Sequence, residues 1–258
     1  MTPTLRSILD FACETTYLAG RLTLGYFQSN LAVDTKADGS VVTAADRGAE
    51  HLIRERIQRY YPEHAILGEE LGTLNKPDTP YRWIIDPIDG TRSFVHGVPI
   101  YAVLIALEIN AVVEVGVAHF PAINETLWAA SGEGCYWNGL RTQVSQTAYL
   151  RDGLVLCNDP EAIYASGNGP AWERIKTGCK TRRGWGDAYG YLLVATGRAE
   201  LMLDPVMNIW DCGPFPPIFR EAGGYFGDWK GNETIDGGEA LGTNRLLLPE
   251  VLSLIRGD

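Results

Sequence analysis

Near the start of the chain, Leu5, Ile8, Leu9, Ala12, Thr16, Ala19 and Leu22 recur at helical spacing, which predicts a long amphipathic helix over residues 4–28, closed by Ser29-Asn30. A polar, turn-rich segment, Asp34 to Ser40, follows and reads as a mobile loop carrying Lys36. Thr43-Ala44-Ala45-Asp46 has the spacing of a capping box and opens a second helix through Leu52, Ile53 and Ile57 to Tyr60-Tyr61, before Pro62. The pattern then changes from a period of 3.6 to β-rich runs. Ala65 to Leu67 and Trp83 to Ile85 read as short buried strands, and Tyr101 to Ile109, Val112 to Phe120 and Leu127 to Ala130 as an antiparallel meander. Beyond a polar stretch at 141–150, strands at 153–157 and 180–183 flank a helix at 169–178. A further helix is expected over 186–197, giving the second half an α/β character. The expected division is an N-terminal half, 1–145, and a C-terminal half, 146–258.

Composition narrows the class. The chain has 258 residues, 45% of them hydrophobic, enough for one large domain or two closely packed halves. A formal net charge of −10 argues against non-specific binding to nucleic acid or anionic membranes. Five cysteines, an odd number without a C-x-x-C, read as reduced thiols of a cytoplasmic protein. Met1 to Asp10 lacks the pattern of a secretory signal, and the longest apolar run, Tyr101 to Leu107, is too short to span a bilayer.

Chemistry concentrates at Trp83-Ile84-Ile85-Asp86-Pro87-Ile88-Asp89-Gly90-Thr91. A buried strand delivers two aspartates, three positions apart, onto a turn opened by Pro87 and Gly90. Two carboxylates aimed at one point repel unless a cation lies between them, and oxygen ligands suit a hard ion such as Mg2+. Taken alone, the same residues also read as an ordinary Asp-Pro/Asp-Gly turn.

Together with Gly68-Glu69-Glu70 upstream, and Trp210-Asp211 followed by Glu221-Ala222-Gly223-Gly224 downstream, this segment resembles the three signatures of the inositol monophosphatase family of metal-dependent, lithium-sensitive phosphatases. The resemblance runs from about Asp34 to Gly242. It implies a mixed α/β, layered αβαβα sandwich of the inositol monophosphatase/fructose-1,6-bisphosphatase type and, commonly, a homodimer. It also implies two to three Mg2+ ions, with Mn2+ as a substitute. Glu69, Asp86, Asp89, Asp211 and the carbonyl of Ile88 become the metal ligands. Glu69 and Thr91 would orient the attacking water, Asp46 would support the centre, and the Lys36 loop would lie over it. The backbone around Gly90, Thr91 and Arg92 would receive phosphate oxygens, as a glycine turn opening a helix suits an anion. Locally, the capping box explains Asp46, and Lys36 reads equally as a solvated loop residue. The prolines at 214, 216 and 217 predict that the helix after Asp211 starts late, near Pro216 or Pro217.

Arg92-Ser93-Phe94, the segment from Gly186 to Arg198 and Asp204 to Asn208 resemble the histidinol-phosphate phosphatase branch more closely than the inositol-type members. Asp187 and Asp204 would offer carboxylates to a cationic substrate, although each also reads as a local device, a helix N-cap and an Asp-Pro turn. Asn208 belongs to the same set, and Arg182 and Arg183 would approach the substrate phosphate from the opposite side or pair with surface acids. The alternatives are an inositol-1-monophosphatase, a broad sugar or nucleotide phosphomonoesterase, and a non-catalytic module joined to nucleic-acid machinery, which would want a basic face. An aspartyl-phosphate phosphatase needs its aspartates two apart. His51, His64, His96 and His119 form no H-E-x-x-H, and no G-x-S-x-G occurs.

Overall fold

A computed structural model describes residues 3–36 and 39–258; Ala37 and Asp38 of the expected loop lie outside the described residues. The first helix spans Leu5–Leu24, with the Thr4 hydroxyl accepting from the Ser7 amide at its start. It stops short of the expected residue 28 because Gly25 caps it and Gln28, at φ 57°, turns the chain out of the helical path. The second helix, Ala44–Tyr60, opens on the expected capping box between Thr43 and Asp46.

Both helices pack on one face of an eight-stranded sheet. Its order is Leu140–Arg141, Gly134–Trp137, Glu125–Ala130, Val112–Phe120, Ala102–Ile109, Tyr81–Asp89, Ala65–Gly68 and Gly72–Leu74. Alternation along the strands divides the core. Trp83, Ile85, Val103, Ile105 and Leu107 pack against Ile8, Ala12, Ile53 and Ile57, while Ile84, Ala102, Leu104 and Ala106 face the other way. On that second side lie the helices Asp187–Ala195 and Phe215–Ala222, whose Tyr191, Leu192, Phe215 and Phe219 share one apolar layer with Leu156, Met202 and Phe226 of a second sheet.

The second sheet has five strands in the order Thr181–Arg183, Leu154–Cys157, Leu201–Asp204, Ala240–Asn244 and Gly224–Gly227. Its outer face, with Val155, Leu203 and Leu241, is covered by Trp172 and Ile175 of Gly169–Gly178 and by Val251 of Leu248–Arg256. The layers therefore run αβαβα. No helix among the described residues is long and apolar enough to cross a membrane. The meander continues past the three expected strands into Gly134–Trp137 and Leu140–Arg141. The prolines delay the helix as expected. A short turn of helix, Ile209–Cys212, ends first, and the next begins at Phe215 with Pro216 and Pro217 in its first turn, where missing amides cost nothing.

Candidate active site

In a regular strand, residues three apart point to opposite faces, so Asp86 and Asp89 should diverge. They converge because Tyr81–Asp89 carries a bulge. Asp86 is paired with Leu104, but Asp89 with Ala102, so one extra residue stands on this strand between them. Pro87, which has no amide to donate, sits within that irregularity. The strand thus reaches Asp89 instead of breaking at the expected turn after Ile85. Asp211 arrives from the other half. It occupies the third position of Ile209–Cys212, where its Oδ2 accepts from the Asn208 amide at 2.8 Å and from Asn208 Nδ2 at 3.2 Å, and this cap fixes the carboxylate. Asp86, Asp89 and Asp211 each present a carboxylate oxygen within 4.8 Å of the others.

A cavity of about 330 Å3 opens over this cluster, lined by Glu69, Ile88, Gly90, Thr91, Arg92, Asn158, Asp187 and Asp204 among others. Gly90 is required twice over. Its φ of 76° belongs to the left-handed region, and a Cβ there would lie 2.7 Å from Asp187 Oδ2. Asp187 is itself held at φ 52°, with Ser93 Oγ donating to Oδ2 at 3.0 Å and Asn158 Nδ2 to Oδ1 at 2.7 Å. The next amide, of Ala188, donates to Asp89 Oδ2 at 2.7 Å.

Asp46 caps its helix with one oxygen and meets Thr91 with the other. Oδ2 accepts from the Thr43 amide at 2.8 Å and the Thr43 hydroxyl at 2.6 Å, while Oδ1 lies 3.3 Å from Thr91 Oγ1. Thr91 Oγ1 also lies 3.0 Å from the Ile88 carbonyl. Lys36 is not free in solvent: its Nζ lies 2.7 Å from Glu69 Oε1 and 2.5 Å from Glu70 Oε1. Burial works against the Lys36 charge, but hydrogen bonds to the two glutamates outweigh it and hold its pKa above the ordinary value. Arg182 and Arg183 are not brought to this cavity. They end an edge strand and line a separate one, because the fold turns the chain between Arg183 and Asp187.

Two groups escaped the sequence reading. Asn158, at the end of Leu154–Cys157, orients Asp187. Glu50 is fully buried beneath Gly68-Glu69-Glu70; its carboxylate accepts from the amides of Glu70 at 2.7 Å and Leu71 at 3.2 Å and from Arg54 Nε at 2.7 Å. A signal for it exists: Asp46, Glu50, Ile53 and Ile57 fall on one helical stripe, so Glu50 is a charge at a core position.

The electrostatics are those of an uncompensated acid cluster. Burial, then the neighbouring carboxylates Glu69, Asp89 and Asp211, push Asp86 well above the usual aspartate range. Burial followed by Asp187 and Asp211 does the same to Asp89, and burial takes Glu69 to about 7 against the pull of Lys36. Asp204 is raised to about 8, chiefly by burial and despite the nearby Tyr191 hydroxyl. Among the described residues, Asp204 Oδ2 and the Tyr191 hydroxyl are buried without a partner at hydrogen-bond geometry. An all-oxygen donor set, largely buried and crowded with negative charge, fits hard divalent cations and offers nothing to softer ones.

Residues 4–256 match the inositol monophosphatase family model. The chain is 43% identical over 242 residues to the histidinol-phosphatase of Chlorobaculum parvum, covering 93% of this chain and 92% of that protein. It is 35% identical to the fructose-1,6-bisphosphatase/inositol-1-monophosphatase of Thermotoga maritima, covering 87% and 86%. Among solved structures, the inositol monophosphatase of Anabaena (Nostoc) sp. superposes with a TM-score of 0.86 at 30% identity, covering 98% of this chain and 96% of that one.

Proposed function

The chain belongs to the inositol monophosphatase family and is a phosphatase, and on that premise we propose that it is a Mg2+-dependent histidinol-phosphate phosphatase. The observation that carries the substrate is the pair of carboxylates Asp187 and Asp204 in the cavity wall beyond the Asp86–Asp89–Asp211 cluster. Histidinol phosphate bears an ammonium and an imidazole, for which two carboxylates are good partners, whereas a neutral polyol has no use for the charge. The 43% identity to a histidinol-phosphatase supports the same substrate.

Asp86, Asp89 and Asp211, with Glu69 and the Ile88 carbonyl, would hold the ions. Bound divalent cations supply positive charge to the phosphate and acidify the attacking water, the means by which a barrier lowered by about 20 kcal/mol becomes attainable. The residues do the rest. Thr91 Oγ1, donating its proton to Asp46 Oδ1 or the Ile88 carbonyl, keeps lone pairs free to receive a proton of the water and so orients it. Gly90, with no side chain, lets a phosphate approach the backbone of Thr91 and Arg92. Asp187 and Asp204 hold the cationic end so that the ester oxygen stays over the acid cluster.

Phosphate release with Mg2+ from histidinol phosphate, inositol 1-phosphate, fructose 1,6-bisphosphate and 3′-phosphoadenosine 5′-phosphate tests this. A preference of a hundredfold or more in kcat/KM for histidinol phosphate, about 2.7 kcal/mol, is expected. Preference for inositol 1-phosphate, or equal rates across the panel, would overturn the substrate and leave the metal chemistry.

A further inference from the structure

Two polar atoms behind the wall of the phosphatase cavity stand without a partner. Asp204 lines the cavity, yet its Oδ2 is buried, and the Tyr191 hydroxyl is buried in the apolar layer behind it. Among the described residues neither atom has a hydrogen bond of acceptable geometry. Orphaned polar groups in a protein interior lower stability, so a pair of them side by side calls for an explanation.

The fold brings these two groups together. Met202 and Asp204 lie two apart on Leu201–Asp204, so their side chains leave the same face of the strand, and Met202 belongs to the central apolar layer. Met202 is registered against Gly242 of Ala240–Asn244, and a Cβ at Gly242 would lie 2.9 Å from Tyr191 Cδ1. The Tyr191 ring therefore lies directly on that glycine. Phe215, Phe226 and Phe219 close round it with centroids 4.7, 5.4 and 6.3 Å away. This box fixes the ring and leaves the hydroxyl one direction in which to act. After burial, the largest influence on each group is the other: Asp204 pushes Tyr191 up, and the Tyr191 hydroxyl draws Asp204 down. Asp187 and Asp211 also face Asp204 and push it up, while the thiols of Cys157 and Cys212, which feel its charge, are held neutral by burial.

A cation docked on the cavity side of Asp204 draws full negative charge onto its carboxylate. An ionised carboxylate with one oxygen in an apolar layer needs a donor there. The surrounding phenylalanines and Met202 offer none, whereas the hydroxyl does. Building on the histidinol-phosphate reading, we propose that Tyr191 is a positioning residue for the cationic end of the substrate, its hydroxyl donating to Asp204 Oδ2 when that end is bound and so fixing the charged carboxylate toward the cavity. A small turn of the Asp204 carboxyl aligns the bond, and the boxed ring does not move. The free protein carries two unpartnered groups, and the bound one joins them.

The test is a double-variant cycle. Tyr191→Phe should raise KM for histidinol phosphate about tenfold, the size expected for one charge-assisted hydrogen bond, with kcat within about twofold of wild type and inositol 1-phosphate unaffected. In an Asp204→Asn background the same change should have no further effect. Because Tyr191→Phe removes an unpartnered buried hydroxyl, its denaturant midpoint should lie at or above that of wild type, the opposite of what a packing residue would show. Equal losses on both substrates, a lowered midpoint, or losses that add in the double variant would overturn the role. The link between the two groups can also be read without substrate. In EDTA the folded Asp204 ionises near pH 8, above an unfolded aspartate, so wild type loses stability relative to Asp204→Asn as pH rises, and the difference stops growing near pH 8. With Tyr191→Phe in both proteins the donor is gone, and the difference should go on growing above that pH. An unshifted profile would overturn the inference. A shifted profile in a protein without preference for histidinol phosphate would uphold the Tyr191–Asp204 bond and overturn the substrate reading.

Discussion

The two walls of the phosphatase cavity are built differently. The wall from the first half places Asp86, Asp89 and Glu69 with backbone devices: a bulge in a buried strand, a parallel strand pair, and a turn whose amides are held by the buried Glu50. Its carboxylates are fixed in place but uncompensated in charge. The opposite wall, apart from the capped Asp211, is made of strained or unfulfilled groups. Asp187 is held at φ 52°, Asp204 is buried with one oxygen unpartnered among the described residues, and Val206 is 70% exposed. On the proposed function, chemistry common to every phosphate ester calls for the first kind of construction, while recognition of one alcohol would fall to groups that a ligand completes. Such strain is retained where it serves binding, at a cost in stability.

The largest expected effect breaks the first wall at its centre. Asp86→Asn should lower kcat by about 10^3-fold or more, because its carboxylate lies in the acid cluster that would hold the cations. Circular dichroism should be unchanged, and the metal-free variant should melt no lower than wild type, since a buried repulsion has been removed. Retained turnover would sink the assignment of the centre. Next, Glu50→Ala should destabilise the protein by about 3–5 kcal/mol in denaturant titration, because it strands Arg54 and two amides. It should also cut kcat by loosening the turn that carries Glu69. A loss below 1 kcal/mol would mean the turn does not need this support.

A smaller effect of opposite sign is expected on the other wall. Asp204 has its folded pKa raised to about 8, whereas an unfolded aspartate ionises near 4. Between these values the folded state holds the extra proton, so stability falls as pH rises through that window. Asp204→Asn has no such proton to lose. In EDTA at pH 8 it should be more stable than wild type by about 1–3 kcal/mol, and the two should converge near pH 4. Equal stability at pH 8 would show that Asp204 is not held in an unfavourable state.

Legibility in the sequence follows the same division. The helix Ala44–Tyr60, the meander and the Asp86–Asp89 pair were readable because each is written in contiguous residues: a cap with its partner three positions on, strict alternation, and Pro and Gly at fixed offsets. What draws the second wall together is not contiguous. Ser93 meets Asp187 across 94 positions and Ala188 meets Asp89 across 99, distances that local pattern does not encode. The convergence of Asp211 on the cluster came from family resemblance, and its short capped helix from the structure. Arg182 and Arg183 read either as approaching the substrate phosphate or as pairing with surface acids, and only the course of the chain after Arg183 puts them in a different cavity.

The most direct measurement of the division between a chemical wall and a selecting wall is kcat/KM of Asp204→Asn with Mg2+ on histidinol phosphate and on inositol 1-phosphate. Loss of at least tenfold on histidinol phosphate, about 1.4 kcal/mol, with inositol 1-phosphate unchanged or improved, is the predicted result. Equal losses on both substrates would contradict it, because Asp204 would then belong to the machinery that acts on the phosphate.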